Sequence, residues 1–503
     1  MKTINKILTL TVGIAASLSS CNLDETPYGF YSEDNFYKTE ADAEAAVNYA
    51  YGYMNFLEYS RSIIFLGDMP TEVLTTKSDA SMDNQNLNNW KVADFKTNGT
   101  LENFFKYSFI GINRANAVIK NIPGCNFNQD LKNQYYGEAY FLRAYNYFNL
   151  VRNFGLVPVH NSIVETLDQT SAPLASNLDE LYDLILGDCR KAIDLMPVYE
   201  SPRMGRADKV AAQALAAKAY LYVASAKEHQ VKLYRDMHRD TKVMYDSAAY
   251  YANQVINEQQ VYGFEPNLLD IYDVEKANGP EHIFIMAMDR SGTSEGEYSK
   301  ISKMFIPYID GATIYLKQGD TDEFIPSHDG WGEYQTTSAF YNSFEENDKR
   351  KTHLICDKVY NANGEISAKY PDNFQYPFSR KYIDPKFSGD KTSTRPFLIR
   401  YSDVALVYAE ATGPNAQSYQ LVNYIRNRAG LANLSPNLSL EQFREAVYKE
   451  RCFELSYEGD HMYDIRRWNR IDQIPAARGM SEDDVTFYPI PQAEINLNGS
   501  LRN

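Results

Sequence analysis

The stretch from Leu131 to Pro158, LKNQYYGEAYFLRAYNYFNLVRNFGLVP, decides the fold of this chain. A helix that is apolar over most of its circumference packs against neighbours on more than one side. Gly155 and Pro158 end this helix, since glycine takes the left-handed conformation easily and proline cannot continue a helix. The sequence therefore predicts a buried helix in a mainly α protein. Its apolar side chains form two adjacent stripes, namely Leu131, Tyr135, Ala139, Leu142, Tyr145 and Phe148, and Phe141, Ala144, Phe148 and Val151.

Further helices are predicted on both sides of this stretch. The helix after Asp208 alternates alanines with leucine and tyrosine, and small and aromatic residues in paired helices are typical of tetratricopeptide repeats. The helix around Ala219 resembles the helix around Ala144, which lies 75 residues earlier in the chain. Insertions must therefore interrupt any array of repeats of about 34 residues. The helices span Glu40 to Tyr59, Leu101 to Asn121, a run that begins after Asp208, Tyr245 to Ile256, and Leu440 to Tyr457.

Two long stretches lack helical patterning. Gly67 to Thr100 is dense in Asp, Asn, Ser and Thr, and Glu265 to Thr394 contains one short apolar strand, Ile283 to Met288, among turn-forming residues. Long irregular segments on a rigid scaffold are the usual place for binding residues. We therefore expect a large irregular lobe from about residue 265 to residue 394.

Charge excludes some classes of partner. The 503 residues carry a net charge of −16, and loss of the first twenty residues, which include Lys2 and Lys6, takes it to −18. A chain this acidic repels phosphate backbones and anionic lipid surfaces, so the sequence argues against nucleic-acid binding. The 40 tyrosines suit both helix packing and wet binding surfaces.

The N-terminus has the pattern of a lipoprotein signal peptide. Lys2 and Lys6 precede an apolar run from Ile7 to Leu18, which is too short to span a bilayer. Leu18-Ser19-Ser20-Cys21 is similar to a bacterial lipobox, in which Cys21 is lipidated. An ordinary signal peptide with an incidental cysteine is the alternative. Asp24 and Glu25, shortly after Cys21, resemble the acidic signals that direct such lipoproteins to the cell surface.

Motifs in both halves of the chain resemble one family, SusD/RagB, whose members are Bacteroidetes surface lipoproteins that capture nutrients. The resemblance implies a tetratricopeptide-type scaffold with an irregular lobe. It also implies a location at the outer membrane and a partner, a SusC-like TonB-dependent barrel for which the protein acts as a lid. The motifs are Asn113-Arg114-Ala115-Asn116, Phe141 to Tyr145, Phe154 to Pro158, Arg400 to Asp403, Tyr408 to Ala411, Glu450 to Leu455 and Asp464 to Trp468.

On this basis we divide the chain into a signal peptide (1–20), an N-terminal SusD-like region (21–260, with the loop 67–100) and a C-terminal region (261–503). The last contains the irregular lobe (265–394) and helices (397–475). The expected role is capture of an oligosaccharide for import. Two alternatives are a lid that captures peptide, as RagB relatives do, and a lipid-anchored helical scaffold that binds only protein.

Four aromatic residues in the irregular stretches are candidates for ligand contact: Trp90, Trp331, Tyr334 and Tyr298. Flat aromatic rings stack on the C–H faces of sugars, and neighbouring amides and carboxylates bond the hydroxyl groups. Asn88, Asn89 and Asp94 surround the first tryptophan, and Asp329 and Glu333 the second. The alternative for each tryptophan is a local packing anchor. Trp468 is predicted to lie in the core.

The sequence predicts no catalytic, cofactor or metal site. Gly292-Thr293-Ser294-Glu295-Gly296 matches the GxSxG motif of hydrolases, but a polar loop follows it instead of a helix. His328, His353 and His461 could complete a triad, and a glycosidase pair of carboxylates has no sequence signature.

Other polar residues are predicted to be structural. Glu450 and Glu454 share an apolar helix face, and we expect them to be ion-paired, with Arg466 and Arg467 as partners. Cys125, Cys189, Cys356 and Cys452 match no metal-site spacing, and Cys189 and Cys452 are expected to be buried thiols.

Overall fold

The structure, a computed structural model, describes residues 37–201, 204–309 and 311–502, so the signal peptide, Cys21 and Asp24-Glu25 lie outside it. Within these residues no helix has the length and apolar character needed to cross a membrane. The helices are α1 (Glu40–Tyr51), α2 (Leu57–Gly67), α3 (Met82–Asn88), α4 (Gly99–Asn121), α5 (Gln129–Phe154), α6 (Leu178–Leu195), α7 (Lys209–Glu228), α8 (Thr241–Asn253), α9 (Ile301–Phe305), α10 (Ser338–Ser343), α11 (Lys349–Leu354), α12 (Tyr401–Thr412), α13 (Ala416–Arg428), α14 (Leu440–Glu454), α15 (His461–Arg467), α16 (Glu482–Val485) and α17 (Gln492–Leu497).

Helix α5 lies at the centre of the helical scaffold, as the sequence predicts. Every residue from Gly137 to Phe154 is buried, and the helix packs against α4 and α6. The Asn128 side chain accepts hydrogen bonds from the first turn, and Gly155 ends the helix with a φ of 69°. Asn116 on α4 donates to the carbonyl oxygens of His160 and Ser162, which fastens the chain that leaves α5.

Packed helices extend from α5 along the chain. Helix α6 packs on α7, α7 on α8, and α8 on α12, which in turn contacts α13 and α14. The alanines of α7 are buried, and their small size lets the flanking helices approach closely. This succession is the tetratricopeptide-type scaffold that was predicted. The division at residue 260 stays a prediction, since the largest core cluster includes both Phe148 and Ile399.

The irregular lobe lies between α8 and α12 in the chain and contains few, short strands. The strand predicted around Ile283 is β2, all of it buried, and it pairs antiparallel with β10. Strand β1, from the loop 67–100, pairs antiparallel with β5 in the lobe, so the two irregular segments meet. The remaining ladders are β4-β3-β7-β8 and β6-β9. The strands are β1 (Leu74–Thr76), β2 (His282–Ile285), β3 (Ile314–Lys317), β4 (Phe324–Ser327), β5 (Tyr334–Thr336), β6 (Ile355–Cys356), β7 (Lys358–Tyr360), β8 (Ile366–Lys369), β9 (Phe378–Ser379) and β10 (Phe397–Arg400).

Buried arginines join the lobe to the scaffold. Arg400 on β10 donates to Glu458 at 2.7 Å, to Glu281 at 2.9 Å and to Glu454 at 2.8 Å. Arg350 on α11 donates to Glu450 at 2.6 Å. Since each ion lies in the interior, each needs its partners to offset the loss of hydration.

The predicted burial and ion pairing of Glu450 and Glu454 is therefore confirmed, but the predicted partners are wrong. Arg466 donates to the main-chain carbonyl of Arg152, and Arg467 pairs with Glu410 and Asp464. The two arginines follow α14 closely in sequence, yet α15 directs them to other elements.

We predict that Arg400→Met lowers the free energy of unfolding by about 3–5 kcal/mol, because three buried carboxylates lose a partner. Urea denaturation followed by circular dichroism measures this change. Lys242→Met is the matched control, since the Lys242–Asp246 pair on α8 is exposed and we expect no measurable change. Equal losses in the two variants would contradict the assigned role of Arg400.

A second prediction concerns the loss of folding stability at acid pH. Burial raises the pKa of Glu454, but the charges of Arg428, Arg400 and Arg350 outweigh burial and lower this pKa to about 2. Unfolded glutamate titrates at about 4.3, so the stabilisation is present above that pH and is lost as pH falls towards about 2. Asp68 has the opposite sign, since burial raises its pKa to about 7, but it has no further effect below about pH 3, where an unfolded aspartate with a pKa of about 3.9 is protonated as well.

We therefore expect the thermal midpoint to fall steeply between about pH 4 and pH 2, and to fall less in Arg400→Met. Calorimetry at several pH values measures both slopes. The same slope in the two proteins would show that other carboxylates cause the acid sensitivity.

Candidate functional site

An exposed aromatic surface lies on the irregular lobe around Trp331. The Trp331 side chain is 37% exposed and Tyr308, on the neighbouring segment, is 68% exposed. Tyr298 is half-buried and lies nearby. We use the name "aromatic surface" for these three residues together with Lys303, Asp390 and Lys391.

Main-chain hydrogen bonds hold Trp331 in place. The N–H groups of Gly330, Trp331 and Gly332 donate to the carbonyls of Pro307, Lys303 and Ile306, at 3.0, 2.7 and 2.8 Å. A Cβ atom on Gly330 would lie 1.9 Å from the Ile306 carbonyl oxygen, so only glycine permits this approach. The main chain at Trp331 is thus fixed before any ligand arrives, which lowers the entropic cost of ordering this segment on binding.

Two lysines and an aspartate join Trp331 to Tyr298. The Lys303 ammonium lies 5.7 Å from the centre of the indole ring and 2.5 Å from the carboxylate of Asp390. The next residue, Lys391, places its ammonium 4.7 Å from the ring centre of Tyr298. The structure therefore links two of the four predicted ligand residues, Trp331 and Tyr298, through Lys303 and the adjacent residues Asp390 and Lys391.

A buried histidine supports the loop before Trp331. Nδ1 of His328 lies 2.7 Å from the carbonyl oxygen of Asp329, so Nδ1 donates, and the Ser302 hydroxyl donates to Nε2 at 3.1 Å. Burial lowers the pKa of His328, which favours this neutral imidazole. The Asp329 carboxylate accepts from the N–H of Gly311 at 3.0 Å and fastens the adjoining segment.

Trp90 lies in the core and not at the ligand-facing surface that the sequence predicts for it. Its side chain is 1% exposed, and Nε1 donates to the carbonyl of Asp484 at 3.0 Å. The ring packs 5.4 Å from both Phe95 and Tyr488. These contacts correspond to the alternative, a packing anchor, and they leave no ring face for a sugar.

Tyr334 is also a core residue instead of a surface residue. It is 0% exposed and packs edge-on against Phe65 and Phe305, each at 5.0 Å. The reason is strand alternation, because Tyr334 begins β5 and points to the side opposite Gln335. Trp468 is buried, as predicted.

The sequence alone does not identify Tyr308, Lys303 and Asp390 as part of the aromatic surface. Lys303 and Asp390 carry no motif, and they meet only because the lobe folds back on itself. A signal did exist for Tyr308, which follows Pro307 and precedes Gly311 in a turn-like stretch that holds an aromatic residue at the surface.

The GxSxG match has no hydrolase geometry in the structure. Ser294 lies in an exposed turn, where its main-chain N–H donates to Glu297, and no helix begins there. Each of the three candidate histidines has a ring nitrogen that is engaged elsewhere: His328 contacts Ser302, His353 contacts Asp320 and His461 contacts Glu72.

Two further features lie outside the aromatic surface. A concavity of about 680 Å³ lies between α4 and the C-terminal residues, lined mainly by apolar side chains such as Phe109, Leu167 and Leu497. Among the described residues the four cysteines are free thiols, and Cys189 is buried as predicted. Cys452 is half-buried and lies beside Glu72 and His461, the one group in the described part of the chain whose atoms could hold a metal ion.

Comparison with known proteins gives consistent matches along the chain. A model described as the SusD family matches residues 356–474, and one described as starch-binding associating with outer membrane matches residues 24–221. SusD-like protein P2 of Formosa agariphila is 24% identical over 531 aligned positions, which cover 98% of each chain.

Solved structures share the fold. A SusD homolog from Bacteroides thetaiotaomicron has a TM-score of 0.75 at 21% identity, covering 93% of this chain and 98% of that one. The surface glycan-binding protein A from the same species, in complex with laminarihexaose, has a TM-score of 0.69 at 19% identity and covers 92% of this chain and 99% of that one. The two family models together match more than half of the residues, in both halves of the fold. This chain belongs to the SusD/RagB family.

Proposed function

We propose that this protein is a surface lipoprotein that captures oligosaccharides through the aromatic surface and passes them to a TonB-dependent, SusC-like outer-membrane transporter. The observation that carries the proposal is Trp331, an exposed indole held in position by three main-chain hydrogen bonds. Its role is binding without catalysis. Trp331 and Tyr298 are the proposed ligand contacts, and we add Tyr308 to them.

The chemistry of this surface suits a sugar. A flat ring with one face open can stack on the C–H groups of a pyranose, and nearby polar groups can bond the hydroxyls. The polar groups beside Trp331 are the ammonium of Lys303 and the carboxylates of Asp390 and Asp329. Both donors and acceptors are thus within reach of a bound sugar.

Ion pairing at the surface favours a neutral ligand. Lys303 is paired with Asp390, and Lys300 is paired with Glu295 at 2.5 Å, so these two ammonium groups are already neutralised. The chain as a whole is strongly acidic. An anionic glycan would therefore meet repulsion at long range, and Lys391, which contacts the Tyr298 ring and the Gly292 carbonyl, is the one lysine of the aromatic surface without an acidic partner among the described residues.

The peptide alternative fits less well. A peptide site should offer unpaired main-chain groups, whereas the N–H groups around Trp331 already donate to neighbouring carbonyls. The helical scaffold alternative predicts binding of protein alone. Calorimetry separates these three possibilities. It compares binding of laminarihexaose, of a maltooligosaccharide of similar length and of a mixture of short peptides.

We predict that Trp331→Ala weakens binding of the preferred oligosaccharide at least tenfold, about 1.4 kcal/mol, because the stacking face is lost. Isothermal titration calorimetry measures the dissociation constant. The thermal midpoint should fall somewhat as well, because the side chain is only 37% exposed, and it serves to check that the variant is folded at the temperature of the titration.

Tyr250→Ala is the matched control, because Tyr250 is an exposed aromatic residue on α8, outside the lobe. We expect its affinity to equal that of the unchanged protein. If Trp331→Ala binds as tightly as this control, the ligand site lies elsewhere on the protein.

The membrane anchor and the barrel partner extend the proposal beyond the described residues. Lipidation of Cys21 would attach the chain to the outer membrane, since each buried methylene contributes roughly 0.8 kcal/mol. Asp24 and Glu25, which resemble an acidic export signal, fit export to the cell surface. A lid on a transporter needs such a tether, because the tether keeps the lid close to the barrel.

We expect a TonB-dependent barrel to co-purify with the tagged, lipidated protein from gently solubilised outer membranes. Mass spectrometry identifies the partner and gives its stoichiometry. Cys21→Ser tests the anchor separately, since this variant should leave the membrane fraction. A stable membrane-bound protein without any barrel partner would favour the scaffold alternative.

A further inference from the structure

Three metal-type side chains converge where the loop after α2 meets α14 and α15. Nε2 of His461 lies 3.0 Å from an oxygen of Glu72 and 3.5 Å from Sγ of Cys452. All three ligand atoms lie within 4.8 Å of one another. The sequence predicts no metal site from the spacing of its cysteines, and it gives no sign of this group because Glu72 and His461 are 389 residues apart.

The distances from Nε2 of His461 to the other two ligand atoms fit a tetrahedral zinc site. Zinc bonds of about 2.0 Å to imidazole nitrogen and about 2.3 Å to thiolate place those two ligand atoms about 3.5 Å apart. The same geometry separates nitrogen from carboxylate oxygen by about 3.3 Å, close to the 3.0 Å between Nε2 of His461 and the Glu72 oxygen.

The hydrogen bonding of the group leaves room for an ion. A single Nε2 proton serves both the carboxylate and the sulfur, so three sets of lone pairs point at one centre. The second oxygen of Glu72 is buried and makes no hydrogen bond within the described part of the chain. A cation in place of that proton would bind the three facing atoms, while Nδ1 of His461, which has no hydrogen-bond partner among the described residues, would keep its proton.

The surroundings hold the ligands in position. The main-chain N–H groups of Gly459 and His461 donate to the two oxygens of Asp68, at 2.8 and 3.3 Å. The Thr337 hydroxyl donates to the carbonyl of Glu72 at 2.5 Å. His461 is buried, while Glu72 and Cys452 are half-buried, so the proposed fourth ligand is a water molecule on their side of the group.

We propose that Glu72, Cys452 and His461 bind one zinc ion. Sulfur, nitrogen and carboxylate ligands together favour zinc over calcium or magnesium, which prefer oxygen. On binding, the thiol and imidazole protons pass to the solvent as the metal bonds form. The ion connects three elements and adjoins β1, the strand that pairs with β5 in the lobe.

The test uses the full-length mature protein, kept reduced, dialysed against a chelator and then titrated with zinc chloride. We expect about one equivalent of zinc per chain and a higher thermal midpoint with the metal. Cobalt chloride should give the absorption of a thiolate-bound, tetrahedral ion. Cys452→Ser should bind zinc at least about tenfold more weakly and lose most of the thermal shift.

Cys356→Ser is the matched control, since Cys356 is a half-buried thiol on β6 remote from the group, and this variant should bind zinc normally. Equal affinity in Cys452→Ser would assign the metal to another site and overturn the proposal. An unchanged protein that takes up no zinc, or whose cobalt form lacks the thiolate absorption, would overturn it without any variant.

Discussion

Three buried arginines, Arg350, Arg400 and Arg428, determine how the irregular lobe sits on the helical scaffold. Arg350 comes from the lobe, Arg400 from β10 and Arg428 from α13, and all three bind carboxylates of α14. A buried ion without its partner costs several kcal/mol, so these pairs form together or fail together. The lobe therefore has one favourable position, and every residue of the aromatic surface depends on it.

The scaffold could be predicted because its pattern is local. The apolar stripes of α5 and the alanines of α7 recur at helical spacing, so burial can be deduced from a short stretch of sequence. The partners of Glu450 could not be deduced in this way, since Arg350 lies 100 residues earlier in the chain. Sequence proximity favoured Arg466 and Arg467, but residues close in sequence need not share a packing face.

The same limit applies to the two loop tryptophans. Trp90 and Trp331 both stand among amides and carboxylates, and nothing in that composition separates them. Trp90 is buried because residues 484 and 488, almost four hundred positions later, cover it. Trp331 did carry a local signal, since glycines flank it on both sides. Such glycines indicate close backbone approach, which here presses the chain against residues 303 to 307 and turns the indole outwards.

The charge around the aromatic surface indicates how the surface would discriminate between ligands. Because Lys303 and Lys300 are paired with acids, they contribute hydrogen-bond donors without a net positive field. Attraction would then come from stacking and short hydrogen bonds, which act only at contact and depend little on salt. On the proposed function, selectivity among oligosaccharides would arise from the spacing of Trp331, Tyr308 and Tyr298 against the repeat of the sugar chain. The backbone hydrogen bonds at Trp331 fix it against residues 303 to 307, so the folded lobe would itself be part of the proposed binding site.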